Sequence, residues 1–200
     1  MAESNEEVPG RSAEHVPGLV FPVAGMSWAD FRDRPELRGA DAGEPGRGGW
    51  RYRRSERHMH RGIDLKAPIG TPLLAVEGGT AEFIVHEEGR GGGHRVRLTG
   101  ASGAVYHYLH LGTDPAHTRD AFPAEFANAG KSPVAVTAGL VIGYLGHTGG
   151  AVASGIPIPI PARAAHLHFQ YHPLGADGED ANPANLFDLI DAGELDGCVQ

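Results

Sequence analysis

Apolar and polar residues alternate along much of the chain between residues 60 and 111, and glycine-rich turns separate the alternating segments. A repeat of two places successive side chains on opposite faces of a β-strand. The pattern predicts strands at residues 71–76, 80–85, 94–99 and 104–111. Turn residues lie between them, at positions 78–79, 89–93 and 100–103. Hairpins in series are typical of an antiparallel all-β domain.

The pattern is less regular outside this region. It predicts further strands at residues 19–23, 134–136, 141–145 and 166–171, and short helices at 123–129 and 184–192. Residues 156–161 alternate Ile with Pro. Because proline lacks an N–H donor and favours polyproline II, we interpret this segment as an exposed flap and not as a sheet strand.

These elements predict a mainly β fold with a compact antiparallel sheet or sandwich core. We expect a mobile leader at residues 1–17, a folded domain at 18–175 and a C-terminal extension at 176–200. Two insertions, at residues 112–132 and 150–165, interrupt the strands of the domain. Long loops of this kind are expected to form the walls of a cleft.

Composition narrows the class of protein. The 200 residues include 30 Gly and 15 Pro, too many for a helical bundle. A net charge of −8 disfavours a protein that coats nucleic acid. The single cysteine, Cys198, excludes an intramolecular disulfide framework. The chain contains neither an apolar run of about 18 residues that could span a membrane nor a signal-peptide core.

Twelve histidines stand out, and their spacing is informative. His60 and Asp64 are four residues apart, which places them on one face of a helix or a strand. Neighbouring glycines and prolines favour the strand. Gly62 lies between them, and we expect it to leave room for a metal.

Two other segments place histidines in alternation. His166 and His168 share a strand face, while Leu167 and Phe169 are expected to point to the core. In residues 106–110, alternation groups Tyr106, Tyr108 and His110 on one face and His107 and Leu109 on the other.

Two histidines and a carboxylate form a zinc site of the catalytic kind, because three protein ligands leave a position for water. Further histidines beside that water can move protons near neutral pH. Either motif alone is weak, but together they favour a metal site. Six arginines lie between Arg47 and Arg61. They are most simply a solvated face, and the alternative is a rim that attracts carboxylates.

With these residues identified, the sequence resembles the lysostaphin/LytM-type zinc endopeptidases, peptidase family M twenty-three. The resemblance lies in residues 60–83, HRGIDLKAPIGTPLLAVEGGTAEF, in the YLHL of residues 108–111, in residues 136–149, VTAGLVIGYLGHTG, and in the HLHF of residues 166–169. These motifs occur in the family's order and extend over most of the chain, from about Phe21 to Tyr171.

The resemblance implies a duplicated-hybrid-motif fold and one zinc ion held by His60, Asp64 and His168. It implies His110 and His166 as the catalytic pair, with the roles of base and acid left open between them, and Tyr108 as a weaker candidate for lining the cleft. The implied substrate is the peptide of bacterial peptidoglycan, with no nucleic-acid partner. The implied location is outside the cytoplasm or in the cell wall.

Other interpretations remain open. The segment at residues 150–165 departs from the family pattern and can narrow or gate the cleft. A zinc-bearing but weakly active domain that binds or regulates at the cell wall is therefore one alternative, and a zinc hydrolase of a non-wall peptide is another. Without a signal peptide, a cytoplasmic location or release by lysis is also compatible with the sequence. The sequence fixes no oligomeric state, and we expect a monomer.

Overall fold

The structure is a computed structural model that describes residues 18–34, 37, 48–56, 58–85, 91–127, 132–153, 156–175 and 178–191. The predicted leader at residues 1–17 and Cys198 lie outside the described residues. The helices are α1 (Trp28–Arg32) and α2 (Pro183–Asp191). The strands are β1 (Arg53–Ser55), β2 (His58–Met59), β3 (Ile63–Leu65), β4 (Pro72–Leu74), β5 (Gly79–Ile84), β6 (His94–Gly100), β7 (Val105–Leu111), β8 (Val134–Val136), β9 (Val141–Tyr144), β10 (Gly150–Ala153), β11 (Ile156–Pro159) and β12 (Leu167–His172).

A six-stranded antiparallel sheet in the order β3-β12-β7-β6-β5-β8 forms the centre of the fold. Three two-stranded sheets accompany it, namely β1-β2, β4-β9 and β10-β11. The predicted mainly β, antiparallel fold class is therefore confirmed, and the hairpins β5-β6 and β6-β7 follow the predicted alternation.

One face of the central sheet is covered by the hydrophobic core. Tyr108 of β7 and Phe169 of β12 are opposite each other in the register and are fully buried, with ring centroids 5.1 Å apart. Phe187 of α2 packs on Phe169 at 5.3 Å and on Phe21 at 4.9 Å. Helix α2, which the sequence predicts, thus shares the core of the sheet, and the opposite sheet face is left for polar side chains.

Helix α1 was not predicted. It has only five residues, and a helix so short is unstable alone. Packing and capping by distant residues stabilise it here: Phe31 is fully buried, and the carboxylate of Asp191 accepts hydrogen bonds from the N–H groups of Trp28 and Ala29 at 3.2 and 2.8 Å.

Two predicted elements are shorter and less regular in the structure than the sequence pattern indicates. The first strand, at residues 19–23, is only a bridge between Val23 and Leu73. The helix predicted at residues 123–129 is a turn in its described part, where the N–H groups of Phe126 and Ala127 both bond to the Pro123 carbonyl.

The interpretation of residues 156–161 as a flap outside any sheet was wrong. Ile156–Pro159 is strand β11 and pairs with β10 in a two-stranded ribbon. The Ile160 N–H donates to the Gly149 carbonyl. In this alternating segment, the backbone N–H groups of the isoleucines therefore point towards β10. The missing N–H groups of the prolines then fall on the outer side of the ribbon, where no partner strand needs them.

Among the described residues, no helix is long and apolar enough to cross a lipid bilayer.

Candidate active site

Three neighbouring strands bring the predicted site residues together. Asp64 of β3 and His168 of β12 are direct cross-strand partners. His168 also lies opposite Leu109 of β7, one residue before His110. His60 enters from the end of the β1-β2 hairpin, and His166 immediately precedes β12. Sheet order and register therefore bring together residues that are more than 100 positions apart.

The ligand-type atoms of His60, Asp64 and His168 converge, and all three side chains are buried. His60 Nε2 lies 2.8 Å from His168 Nδ1 and 3.0 Å from Asp64 Oδ1. His168 Nδ1 lies 2.7 Å from the same carboxylate oxygen. Within the described residues this is the one cluster of at least three His, Cys, Asp or Glu donors that could hold a metal ion.

The donor set fits a zinc ion. His60 Nδ1 is 2.8 Å from the Gly49 carbonyl, which can only accept a hydrogen bond, so the His60 proton belongs on Nδ1 and its Nε2 carries a lone pair. At the centre of the cluster, a proton on His168 Nδ1 is then shared between this lone pair and the Asp64 carboxylate. A divalent cation would satisfy all three donors at once, and two imidazoles with one carboxylate are a set that zinc accepts.

His110 and His166 lie beside this cluster as a pair, with ring centroids 4.9 Å apart. Each is oriented by a backbone carbonyl: His110 Nδ1 lies 2.9 Å from the Thr148 oxygen and His166 Nδ1 lies 2.8 Å from the Ala164 oxygen. Both Nδ1 atoms are therefore donors, and in the neutral ring both Nε2 atoms are free to accept a proton. His166 Nε2 is 3.5 Å from Asp64 Oδ1, which places it at the cluster.

His110 reaches the site because the strand alternation breaks at this residue. Its φ of +69° is in the left-handed region, and the β6-β7 register shifts nearby, between His94 and Val96. The prediction that His110 shares a face with Tyr106 and Tyr108 was therefore wrong. Such a conformation costs on the order of 1 kcal/mol or more, and residues that store strain of this kind cluster at functional sites.

Two smaller expectations are corrected. Tyr108 does not line the cleft: it is fully buried, and its hydroxyl donates to the Leu74 carbonyl at 3.0 Å and accepts from the Val76 N–H. Gly62 leaves room for β12 and not for a metal. A Cβ at Gly62 would lie 2.3 Å from the Phe169 carbonyl oxygen and 3.0 Å from His168 Nε2, the nitrogen facing away from the cluster.

The charges of the site are mutually dependent. Burial alone would raise the pKa of Asp64, but the His166 imidazole and the close contacts with His168 and His60 outweigh burial and hold that pKa well below its ordinary value. Burial, together with His166 and His168, lowers the pKa of His110 well below its ordinary value. Burial also lowers the pKa of His168. Asp64 is thus a carboxylate and both of these imidazoles are neutral at pH 7.

Three supporting residues were missed by sequence reasoning. Gln170 places its amide nitrogen 2.9 Å from His168 Nε2. Thr148 bonds through Oγ1 to the Leu111 carbonyl and to the His94 N–H, which fixes the carbonyl that orients His110. Arg54 donates from Nη2 to Asp64 Oδ2 at 2.6 Å. The only sequence signal for Arg54 was its place in the arginine run, of which Arg51, Arg53 and Arg61 are exposed as expected of a solvated face.

The β10-β11 ribbon lies shortly before His166 along the chain. The ribbon β10-β11 is closed at its base by the Ile160 N–H to Gly149 carbonyl bond and by His147 Nδ1, 3.1 Å from the Ile160 carbonyl. The 3₁₀ turn Ala162–Ala164 then leads to the carbonyl that orients His166. Six residues, 160–165, therefore separate the end of the ribbon from His166 along the chain.

Comparisons with known proteins give similar structures only. No family model matches the chain, and no curated protein gives a significant match. Lysostaphin from Staphylococcus simulans, described as an antimicrobial peptidase, is 26% identical over 71% of this chain, with a TM-score of 0.49. This chain covers 49% of that protein. The catalytic domain of lysostaphin alone is 24% identical over 70% of this chain and 89% of its own, with a TM-score of 0.49. LytU is 27% identical over 70% of this chain and 81% of its own, again with a TM-score of 0.49.

The chain is similar to lysostaphin-type peptidases. Lysostaphin itself is about twice as long as the part that this chain covers, and the similarity is to its catalytic domain.

Proposed function

We propose that this protein is a zinc-dependent metalloendopeptidase that hydrolyses peptide bonds in bacterial peptidoglycan, in the stem peptide or the cross-bridge. One observation carries the proposal: two imidazoles and a carboxylate converge within 4.8 Å of one another, and two further imidazoles lie beside them with Nε2 free. A purely structural cluster of histidines would not require His110 and His166 beside it.

His60 Nε2, Asp64 Oδ1 and His168 Nδ1 would hold one zinc ion. Bound there, zinc would supply Lewis acidity that polarises the scissile carbonyl and activates a water molecule. The remaining chemistry is proton transfer, which the chain's own residues perform.

His110 is the better candidate for the general base. Its Nδ1–H is held by the Thr148 carbonyl, and its lowered pKa keeps Nε2 unprotonated at neutral pH. Nε2 can therefore take a proton from the attacking water and return it to the leaving amine. His166 is held in the same way by the Ala164 carbonyl and lies closer to Asp64; as the imidazolium, with a second proton on Nε2, it would donate a hydrogen bond to the developing oxyanion.

The substrate class and the extracytoplasmic location come from the family that the sequence motifs resemble. The net charge of −8 opposes binding to anionic wall polymers, and exposed arginines such as Arg51 and Arg53 offset it beside the site. We place the site residues within the predicted domain, residues 18–175, with helix α2 packed on its core, and expect the protein to act as a monomer.

The test combines metal content with release of peptides from purified peptidoglycan, with and without chelator, on one preparation. We expect one zinc per chain and peptide release that chelator abolishes and added zinc restores. If the protein binds zinc but releases no peptides from several types of cell wall, its substrate would be a non-wall peptide or its role would be binding. Absence of zinc would overturn the proposal.

A gated, weakly active wall-binding domain is the second candidate, because the β10-β11 ribbon leads directly into the turn that orients His166. Deleting residues 151–158 tests it cleanly, because Gly150 and Pro159 are cross-strand partners and can be joined directly. A large gain in peptide release would favour gating. Unchanged or reduced release, with zinc retained, would favour the ribbon as a wall of an active cleft.

A further inference from the structure

Arg54 has a contact that a solvated arginine face does not explain. Asp64 has no exposed side-chain surface, and its two oxygens have different partners. Oδ1 faces the imidazoles, at 2.7 Å from His168 Nδ1 and 3.0 Å from His60 Nε2. Oδ2 faces Arg54 Nη2 at 2.6 Å, a short, charge-assisted hydrogen bond.

The local backbone aims Arg54 at this oxygen. Arg53 is paired with Met59 and Ser55 with His58, so the register of the β1-β2 hairpin shifts at Arg54. A bulge of this kind redirects one side chain. Arg53 is exposed and donates to the Glu56 carbonyl, whereas the Arg54 side chain is only 27% exposed. Two backbone hydrogen bonds join this hairpin to His60: the Arg51 N–H donates to the His60 carbonyl, and the His60 N–H donates to the Tyr52 carbonyl. These bonds hold Arg54 in position relative to His60, a proposed metal ligand.

We propose that Arg54 is a positioning residue that reserves Oδ2 of Asp64 and thereby presents Asp64 to the metal as a one-oxygen ligand through Oδ1. This inference rests on the proposed metal site. Binding of both carboxylate oxygens would require Oδ2 to leave Arg54, and the largely buried guanidinium would lose its partner. A one-oxygen ligand keeps the site four-coordinate, with one position for water or a peptide carbonyl.

The test is the visible spectrum of the cobalt-substituted protein, since four-coordinate cobalt absorbs more strongly than five- or six-coordinate cobalt. We expect the wild type to show the intense four-coordinate spectrum. Arg54→Met should lose visible absorptivity as Oδ2 joins the metal. Arg54→Lys, which can still donate to Oδ2, should restore the intensity, and Arg53→Met on the same strand should leave it unchanged.

A zinc-bound crystal structure of the wild type gives a second test that does not depend on the folding of a variant. We expect Oδ1 at about 2.0–2.2 Å from zinc and Oδ2 still bonded to Arg54. Two carboxylate oxygens on the metal, or an Arg54→Met spectrum identical to that of the wild type, would overturn the role of Arg54 while leaving the metal site intact. A wild type that binds neither cobalt nor zinc would overturn both proposals.

Discussion

Two groups that contain buried histidines lie at the polar face of strand β12 and differ in their charged neighbours. The metal cluster (His60, Asp64, His168) contains a carboxylate. The second histidine pair (His107, His172), on strands β7 and β12, has ring centroids 5.3 Å apart. Its charged surroundings are cationic: besides burial, His172, Arg95 and Arg97 lower the pKa of His107 to about 4.

The comparison shows that buried histidines alone do not make a metal site. In the metal cluster, Asp64 provides a negative charge that favours a cation, and a hydrogen bond from His60 to a carbonyl aims a lone pair at the centre. In the second pair, positive neighbours repel a cation. The nearby carboxylate of Glu82 is instead paired with Arg97, at 2.6 Å. We expect the second pair to be structural, and the predictions below test this contrast.

The largest effect is expected from His168→Ala compared with His172→Ala. Both histidines are buried on the same face of β12. Loss of His168 removes one of three protein ligands, so zinc and peptide hydrolysis should both be lost, whereas His172→Ala should retain them. Metal analysis and peptide release on folded protein measure the contrast. Equal zinc in the two variants would contradict the ligand assignment.

His110→Ala compared with His107→Ala separates catalysis from binding on strand β7. The His110 variant should keep its zinc and lose roughly 10²–10⁴-fold in rate, the usual contribution of a general base. The His107 variant should keep both zinc and most of the rate. Normal turnover after loss of His110 would remove it from the mechanism.

The hairpins and the candidate metal cluster of His60, Asp64 and His168 could be predicted from the sequence because both depend on local patterns. Alternation marks strands, and His168 lies on a regular strand, β12, where a period of two is obeyed. His110 shows the limit of this reasoning. Its side chain changes face at a positive φ beside a register shift, and hydrogen bonds to the carbonyls of Gly92 and Thr148 hold it there.

Arg54 and the ribbon show the same limit in other forms. A bulge, and not alternation, turns Arg54 towards Asp64 while Arg53 stays exposed. Alternating prolines were interpreted against a strand, but an edge ribbon needs donors on one side only. In both cases the deciding information is the partner strand, which no local pattern specifies.

A smaller effect is expected from Gln170→Leu. The Gln170 amide lies between the two groups: it is within 2.9 Å of His168 Nε2, and Gln170 is the cross-strand partner of His107. When His168 binds through Nδ1, its Nε2–H needs an acceptor, and the amide oxygen can turn to supply one. We expect Gln170→Leu to weaken zinc binding by about 10–100-fold, measured by competition with a chelator. Gln170→Glu keeps an acceptor and should bind zinc more tightly than the leucine variant.

The smallest effect concerns the second pair alone and appears as a pH dependence. The pKa of His107 is about 4 in the folded chain and about 6.5 when unfolded. As pH falls below 6.5, the unfolded state therefore binds a proton that the folded state does not, and stability falls until pH approaches 4. Between pH 7 and 5, this residue alone should reduce the free energy of unfolding by roughly 2 kcal/mol. Denaturant unfolding of the metal-free protein measures the decrease in the free energy of unfolding between the two pH values. His107→Gln should show a decrease smaller than that of the wild type by this amount. His117→Gln, a control at an exposed residue, should show the same decrease as the wild type. Equal losses in all three proteins would mean that burial and the cationic neighbours do not hold His107 neutral, and the contrast between the two groups would then rest on the carboxylate alone.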